Sequence, residues 1–530
     1  MDQIHISKIR CLNFRAFEDR ILDDLQLGTN VIIGDNDTGK SSLLLALDLT
    51  LRSSISRVQT FGLERLFNRN AIALFLSKKD RSFSDLPKLQ VDIHLSGITD
   101  HEFEGRFHSG DDGDNAEYDA FGICLICTPN PSLKDAIDEV IQSEDASFPF
   151  EYYLIEFKTF SGAPLHPQKK PVDHIAIDNT QISNDYASRA YVRDIYRANT
   201  ESAEQSRHQI KYREAKNQFA VNQLDELNQK LGADTEFAIK SNSRANLSTD
   251  LTIRQNDIDI EDLGMGMQCF IRTTFALSRK TDIDVVLLEE PENHLSQSNM
   301  KKLIEKISEV SKSQVFVATH SSYICSRLNL QKAVFFGSPD DPPIRLVDVS
   351  EETAKFFMKA PNNSLLEFIQ AERSILVEGD AEFMLMNVFY KNTVGTDIDL
   401  SPTVLISVGG LSFPRYMEVA SILKNRVAVI TDNDGNLESS RLVKYQEFAK
   451  SDNIGVFYDT EADRSTLEIC VYRDNTAFCE GLFGESRQTL TVEQYMLKNK
   501  TETAFQLASA DNNILKTPTY IEEGIAWITA

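Results

Sequence analysis

The apolar positions change period several times along the first hundred residues. His5 to Asn13 and Thr29 to Ile33 read as short strands, and Ser42 to Leu51 is an apolar run of helical length, so the chain opens as strand, strand, loop, helix. Leu89 to Leu95 alternates as Leu-Gln-Val-Asp-Ile-His-Leu, and Tyr152 to Phe157 does so more loosely, adding strands to the same lobe. Ser183 to Leu231 is different in character: polar, nearly free of Gly and Pro, with Val221, Leu224 and Leu227 at helical spacing. It predicts a helical insertion whose apolar stripe either mediates self-association or rests on the lobe beneath. Leu251 to His320 returns to strand and helix alternation, Ala333 to Phe336 adds a strand, and a polar connection follows from about Gly337 to Ala360. From Ser374 a second series begins: strand Ile375 to Val377, helix Glu382 to Tyr390, strand Val404 to Val408, helix Tyr416 to Leu423, strand Val427 to Thr431. The predicted class is α/β, with a compact α/β unit at the C-terminal end.

Length and composition narrow this picture without redrawing it. A chain of 530 residues has room for roughly two to four domains. No stretch approaches the ~20 apolar residues of a membrane span, and Met1-Asp2-Gln3-Ile4-His5 lacks the basic and apolar parts of a secretory signal, so a cytoplasmic protein with no membrane contact is expected. The seven cysteines are odd in number and scattered, which argues against a disulfide framework. Cys124-Leu125-Ile126-Cys127 lies in an apolar run with no second pair and reads as buried strand rather than zinc or redox chemistry. Gly110-Asp111-Asp112-Gly113-Asp114 reads as an exposed turn, since the glutamate that an EF-hand needs at its twelfth position is absent. A net charge of −25 opposes general affinity for nucleic acid, so any DNA-binding surface must be local.

Gly34-Asp35-Asn36-Asp37-Thr38-Gly39-Lys40-Ser41 matches GxxxxGK[ST] between a predicted strand and a helix. Such a loop frees backbone N–H groups to cradle phosphates, sends Lys40 to the terminal phosphates and offers the Ser41 hydroxyl to Mg²⁺; Asn36, Gly39 and Ser42 complete the expected ATP contacts. The bland alternative is a glycine turn ahead of a core helix. Asp284 to Glu290 is an apolar strand ending in two acids, which suits a Walker B element. There Glu289 would hold Mg²⁺ through water and Glu290 would polarise the attacking water, whereas plain solvation is the competing explanation of a strand-end pair. The partner glutamine of such sites has two weak candidates, Gln59 and Gln90.

A second cluster is made of carboxylates. Ile375-Leu376-Val377 runs into Glu378-Gly379, and Glu382 follows at i+4 on the next helix. The strand Val427 to Ile430 ends in Thr431-Asp432-Asn433-Asp434-Gly435, where alternation places Asp432 and Asp434 on one side. Hard oxygen ligands grouped this way suit two Mg²⁺ or Mn²⁺ ions acting on a phosphodiester, although a lone DxDG is commonly just a turn.

Taken in order, these motifs resemble a known family. Gly264-Met265-Gly266-Met267-Gln268 before the Walker B strand and Ala318-Thr319-His320-Ser321 after the next one resemble the signature and switch elements of ABC-type ATPases of the SMC/RecF kind. Glu289-Glu290-Pro291-Glu292-Asn293-His294-Leu295 resembles the EEPE-x-HL stretch of the OLD (overcoming lysogenization defect) nucleases. Glu378, Asp432 and the glycine turn after Ile406-Ser407-Val408 resemble a Toprim domain. Departures are Glu289 where many ABC ATPases have Asp, no serine leading Gly264, and Asn436 in place of a third clustered acid.

The resemblance implies an ABC ATPase in two parts, residues 1–182 and 241–345, interrupted by a helical insertion at 183–240 and followed by a Toprim nuclease domain at 346–530. It further implies that Gly264, Gly266 and Gln268 complete the ATP site of another subunit, and that His320 senses the γ-phosphate. Glu468 would be an additional metal carboxylate, with Asp463 as the weaker choice, and Lys500 would stabilise the transition state. The expected activity is ATP-regulated, metal-dependent DNA cleavage by a homodimer or larger oligomer in bacterial defence against phage, alongside a neighbouring-gene partner such as a helicase or reverse transcriptase. A DNA clamp or sensor with a non-cleaving Toprim domain is the alternative. Primase or topoisomerase activity fits less well, because no tyrosine nucleophile in a DNA-gripping domain is recognisable.

Overall fold

The structure, a computed structural model, describes residues 3–530 other than 109–118, 144–146, 166–168, 179–191, 194, 198, 231–234, 236, 240–246, 278–282, 311–312, 340, 361–363, 411, 485–488 and 511–514. The acidic stretch Gly110 to Asp114 and part of the expected helical insertion lie outside the described residues. The chain separates into two compact units, Met1–His320 with Phe336–Pro343, and Ser321–Phe335 with Ile344–Ala530.

The first unit has two large sheets besides a two-stranded ribbon, Arg254–Gln255 with Ile258–Asp259. One is antiparallel and runs Phe17–Leu22, His5–Phe14, Leu89–Ser96, Ala120–Pro129, Tyr153–Thr159. The other has four parallel strands in the order Thr29–Gly34, Gln314–Ala318, Val285–Glu289, His174–Asp178. The helix Lys40–Arg52 touches both sheets, and ten of its thirteen residues are buried. Burial on all sides explains why its sequence is apolar all round rather than striped. Inside this packing the buried Asp48 needs partners, and it has three: Arg52 Nε at 2.6 Å, Arg57 at 3.0 Å and His174 Nε2 at 3.0 Å. Burial works against its charge, but the Arg52 and Arg57 guanidiniums and the His174 hydrogen bond hold the carboxyl far below its ordinary range.

Cys124 and Cys127 sit buried in the strand Ala120–Pro129, as their apolar context predicts. The long helix Ser202–Gln223 has no buried residue. Of Val221, Leu224 and Leu227, predicted to form an apolar stripe, Leu224 is half-buried while Val221 and Leu227 are 72% and 43% exposed, so the stripe is largely uncovered by the described residues.

The second unit is built on a parallel sheet in the order Thr403–Ser407, Arg373–Val377, Arg426–Ile430, Ile454–Phe457. The chain turns to opposite sides after Arg373–Val377 and Arg426–Ile430, so the carboxyl ends of these two central strands flank the crevice where such sheets bind ligands. Helix Asp380–Val394 and the helices Lys500–Ser509 and Thr519–Thr529 share its core with Ile375, Val377, Ala428 and Ile430. The polar connection predicted from about Gly337 to Ala360 contains a helix, Glu351–Lys359, which buries Thr353, Ala354 and Phe357 at a spacing of one, three and four. Three small or single apolar positions are too sparse a signal to be read as a helix face in advance.

The last helix is held at its end. Arg373, first residue of its strand, reaches the carbonyls of Ile528 and Thr529 at 3.3 and 3.1 Å, and Arg426, first of the next strand, reaches that of Trp527 at 2.6 Å. Cations at a helix C-terminus complement its dipole and satisfy its free carbonyls. Helix Thr519–Thr529 therefore runs opposite to the strands.

Candidate nucleotide site and carboxylate cluster

In the first unit the P-loop follows its strand directly. Gly39 takes φ 99°, a left-handed value that favours glycine, and a Cβ there would lie 2.3 Å from the Phe17 ring. Lys40 is buried, its Nζ donating to the carbonyls of Gly34 at 2.9 Å and Asp35 at 2.5 Å. Burial depresses the Lys40 ammonium to about 8 although Asp35, Glu290, Asp37 and Glu289 act against that. The Ser41 hydroxyl hydrogen-bonds Glu289, whose carboxyl is pushed up to about 6, chiefly by burial and further by Asp178 and Glu290. His320 Nε2 lies 3.8 Å from Glu290 Oε1, and burial together with Lys40 keeps its ring below the ordinary histidine value.

Asn36, Gly39, Lys40, Ser41, Ser42, Glu290 and His320 thus line one cleft, with Glu289 in the cleft adjoining Ser41. A buried ammonium, a hydroxyl paired with a strand-end carboxylate and a loop of backbone amides form a donor set that fits a magnesium nucleotide. The backbone around the acids is strained into shape: Glu290 has φ 44° and its Oε2 accepts from Asn293 at 2.6 Å, while Glu292 Oε1 accepts from the Thr319 hydroxyl at 2.6 Å and the His320 amide at 2.9 Å.

The signature-like residues do not line these clefts. A Cβ on Gly266 would lie 2.1 Å from the His294 carbonyl oxygen, so the glycine is packed against the segment that follows the Walker B acids. Gln268 donates its amide to the carbonyls of Glu261 and Leu263 at 3.1 and 2.8 Å, an internal use of a group expected to meet ATP. Gly264 has no heavy atom near its Cβ position, and Met265 and Met267 are exposed beside it.

Neither glutamine candidate reaches the site: Gln59 is exposed on the helix Ile55–Phe61, and Gln90 is buried in the antiparallel sheet with its amide on Asp92 at 2.8 Å. The group beside Glu289 is Asp178, its register partner on the parallel strand His174–Asp178. Arg15, at the hairpin turn with φ 49°, and Arg69 also line the cleft. None of these three was singled out from sequence; an apolar strand His-Ile-Ala-Ile ending in Asp178 was the available signal.

In the second unit Glu378 directly follows its strand and accepts the Thr431 hydroxyl at 2.6 Å through Oε1. Asp432 is buried and accepts the Leu467 amide at 2.9 Å, the first turn of helix Leu467–Asp474. Glu382, on helix Asp380–Val394, lines the same small cavity as Glu378 and Asp432. Glu468 is buried and pairs with Lys500 Nζ at 2.9 Å, while its Oε1 has no hydrogen-bond partner. Burial opposes the Lys500 charge, but Glu468, Asp432 and Glu382 outweigh it and raise its ammonium.

Four carboxylates and one ammonium leave negative charge in excess. Asp432 is pushed up to about 8, first by burial and then by Glu378, Glu382 and Glu468, with Lys500 acting the other way. Glu382 is raised for the same reasons, burial first. An unpartnered buried oxygen and this repulsion fit a divalent cation by the chemistry of the donors. Among the described residues, no group of three or more His, Cys, Asp or Glu side chains is already arranged as a metal cage.

Asp434 departs from its expected placement. The strand stops at Ile430, Asp434 takes φ 50° in the turn, and it is exposed where Asp432 is buried. Alternation applies only within a strand, so it could not hold past that point. Asp463 is exposed and paired with Arg473 at 2.7 Å. The residue between the two aspartates has its own task. Asn433, 1% exposed, donates to the carbonyls of Asp459 and Glu461 at 2.7 and 2.9 Å and accepts from the Gly435 amide at 2.8 Å. Arg464, clamped by Asp459 and Asp474 at 2.7 Å each, holds the same loop, which delivers Glu468. Asn433→Ala is expected to cost about 2–4 kcal/mol in urea unfolding, because buried carbonyls lose their donors. Wild-type stability of that variant would show that Asn433 does not clamp the loop.

Residues 5–118 and 153–325, more than half of the chain, match the family model described as AAA ATPase domain. Residues 370–434 match that of the overcoming lysogenization defect protein-like Toprim domain. No curated protein matches. Among solved structures, the C-terminal region of the Burkholderia pseudomallei OLD protein is similar at 18% identity over 30% of this chain and 97% of that one, with a TM-score of 0.26. The SMC head domain from Thermotoga maritima is similar at 14% identity over 64% and 99%, with a TM-score of 0.28. An Smc head bound to the C-winged helix domain of ScpA is similar at 15% identity over 66% and 99%, with a TM-score of 0.34. With the ATPase match over more than half of its length, the chain belongs to the AAA ATPase domain family, and it carries an overcoming lysogenization defect protein-like Toprim domain at residues 370–434.

Proposed function

We propose that this chain is an ATP-regulated, divalent-metal-dependent DNA endonuclease acting in bacterial defence against phage. The observation that carries it is the gathering of Glu378, Glu382, Asp432 and Glu468 with Lys500 at the carboxyl edge of the Toprim sheet. Glu378, Asp432 and Glu468 would hold Mg²⁺ or Mn²⁺, with Glu382 and Asp434 as further oxygen donors. Two such ions supply an activated water and charge stabilisation at the leaving oxygen. Lys500 offsets charge developing on the phosphate. Thr431 and the Leu467 amide fix the Glu378 and Asp432 carboxylates so that little rearrangement is needed.

In the ATPase unit Lys40 binds the terminal phosphates, Ser41 and Glu289 hold Mg²⁺, Glu290 orients water and His320 reads the γ-phosphate. Head-to-head pairing would bring Gly264, Gly266 and Gln268 of another copy to the nucleotide, and the exposed apolar positions of helix Ser202–Gln223 offer a second contact between copies. A neighbouring-gene partner, a helicase or reverse transcriptase, would direct the nuclease.

A plasmid-nicking assay with Mg²⁺ and Mn²⁺, with and without ATP, tests the proposal. Cutting by the wild type that disappears in Glu378→Ala and Asp432→Ala is the expected result; no cutting under any metal would overturn it. The exposure of Asp434 and the use of Glu468 by Lys500 favour the second reading, an ATP-dependent DNA clamp, which predicts nucleotide-dependent DNA retention without cleavage.

A further inference from the structure

The cavity that Glu378, Glu382 and Asp432 share is closed by Met386, Phe389, Ile430, Leu467, Ile521 and two more polar side chains, Thr431 and Tyr520. Tyr520 lies on helix Thr519–Thr529, outside the matched Toprim segment, and is 6% exposed. Its position follows from the clamp at the other end of that helix. Arg373 and Arg426 hold residues 527–529 at the amino ends of two strands. Eleven helical residues span about 16 Å and five strand residues about the same, so the first turn of the helix arrives at the carboxyl edge, beside the acids.

Two consequences meet there. The positive end of the helix dipole faces the cluster. Of the two hydroxyls lining the cavity, that of Thr431 is committed to Glu378 at 2.6 Å, which leaves the phenol of Tyr520 as the second hydroxyl in the space that Glu382 and Asp432 line. The cavity measures about 10 Å³, close to the smallest space that holds one water.

We propose that Tyr520 is a positioning residue of the carboxylate cluster, its hydroxyl anchoring the inner oxygens of Glu382 and Asp432 through one buried water so that their outer oxygens face the cation. Burial, Asp432 and Glu382 keep the phenol protonated and hence a donor. The ring packs in the core with Ile521 and Ile525, but a core needs only the ring; the hydroxyl serves the site.

This inference rests on the metal-site reading given above, and the test separates the two. Mn²⁺ binding to the full chain is titrated calorimetrically at pH 6.5, 7.5 and 8.5 for wild type, Asp432→Asn, Tyr520→Phe and Ile525→Val, with plasmid nicking recorded over the same pH range. Tyr520→Phe is expected to bind Mn²⁺ about tenfold more weakly, with an altered pH dependence. Ile525→Val, which trims the core beneath the helix outside the cavity and keeps the hydroxyl, is expected to retain wild-type affinity. Wild-type affinity and pH profile in Tyr520→Phe would overturn the role, as would an equal loss in Ile525→Val or a Tyr520→Phe chain that does not fold, since either assigns the residue to the core. A wild type that binds no Mn²⁺, or binds it as Asp432→Asn does, would instead overturn the metal site itself.

Discussion

At pH 8.5 in the presence of a chelator, Asp432→Asn is expected to be more stable than the wild type by roughly 1–3 kcal/mol while losing metal-stimulated nicking by about 10³-fold or more. Burial and three neighbouring carboxylates raise the Asp432 carboxyl from 3.8 to about 8. The folded protein therefore holds this proton more tightly than the unfolded chain does. Stability falls as pH rises from about 4 to about 8 and is level above that, because deprotonation is progressively forced on a site that resists it. Asparagine stays neutral and escapes this loss, so the gap between the two proteins is widest at pH 8.5 and closes toward pH 4. Mg²⁺ or Mn²⁺ should reverse the order by stabilising only the wild type. Thermal unfolding across pH, with and without metal, reads all of this. A variant no more stable than wild type at pH 8.5 would mean that Asp432 is not in conflict with its surroundings.

Lys40→Ala is expected to weaken ATP binding by about 2–5 kcal/mol, a loss of thirtyfold to several thousandfold in affinity measured with a fluorescent analogue. The wild type carries a pH signature that the variant lacks. Burial lowers the Lys40 ammonium to about 8, so above that pH the free protein has largely lost the proton that phosphate binding requires. Binding then takes up a proton, and affinity declines as pH rises through about 8 to 9. Lys40→Ala should show weak, pH-independent binding over that range. Undiminished affinity at pH 9.5 in the wild type would show that the ammonium is not the phosphate contact.

Much of the framework was legible because it is local. The strand-loop-helix of the P-loop, the apolar strands leading to Glu289, Glu378 and Asp432, and the helix carrying Glu382 depend on residues within one turn or one strand of each other. Elements that depend on tertiary register were not readable. Asp178 matters because its strand lies beside Val285–Glu289, more than a hundred residues away in sequence. Tyr520 reaches the acids only because Arg373 and Arg426 fix the far end of its helix. Asp434 failed the alternation rule because the strand had already ended, and Gln268 turned inward to carbonyls that no spacing rule could foresee. Asn433, between two acids that drew attention, looked like filler and is a buried clamp.

The placement of helix Thr519–Thr529 also sets when the cleft can exist. Glu378, Asp432, Glu468 and Lys500 leave the ribosome well before residues 519–529, which supply one wall of the cavity and much of the surrounding core. A nascent chain holding every acidic ligand still lacks Tyr520, Ile521, Ile525 and Ile528, and its sheet face stays open to water. Translation that stops short of this helix yields a chain with the complete set of carboxylates and without one wall of the pocket that surrounds them.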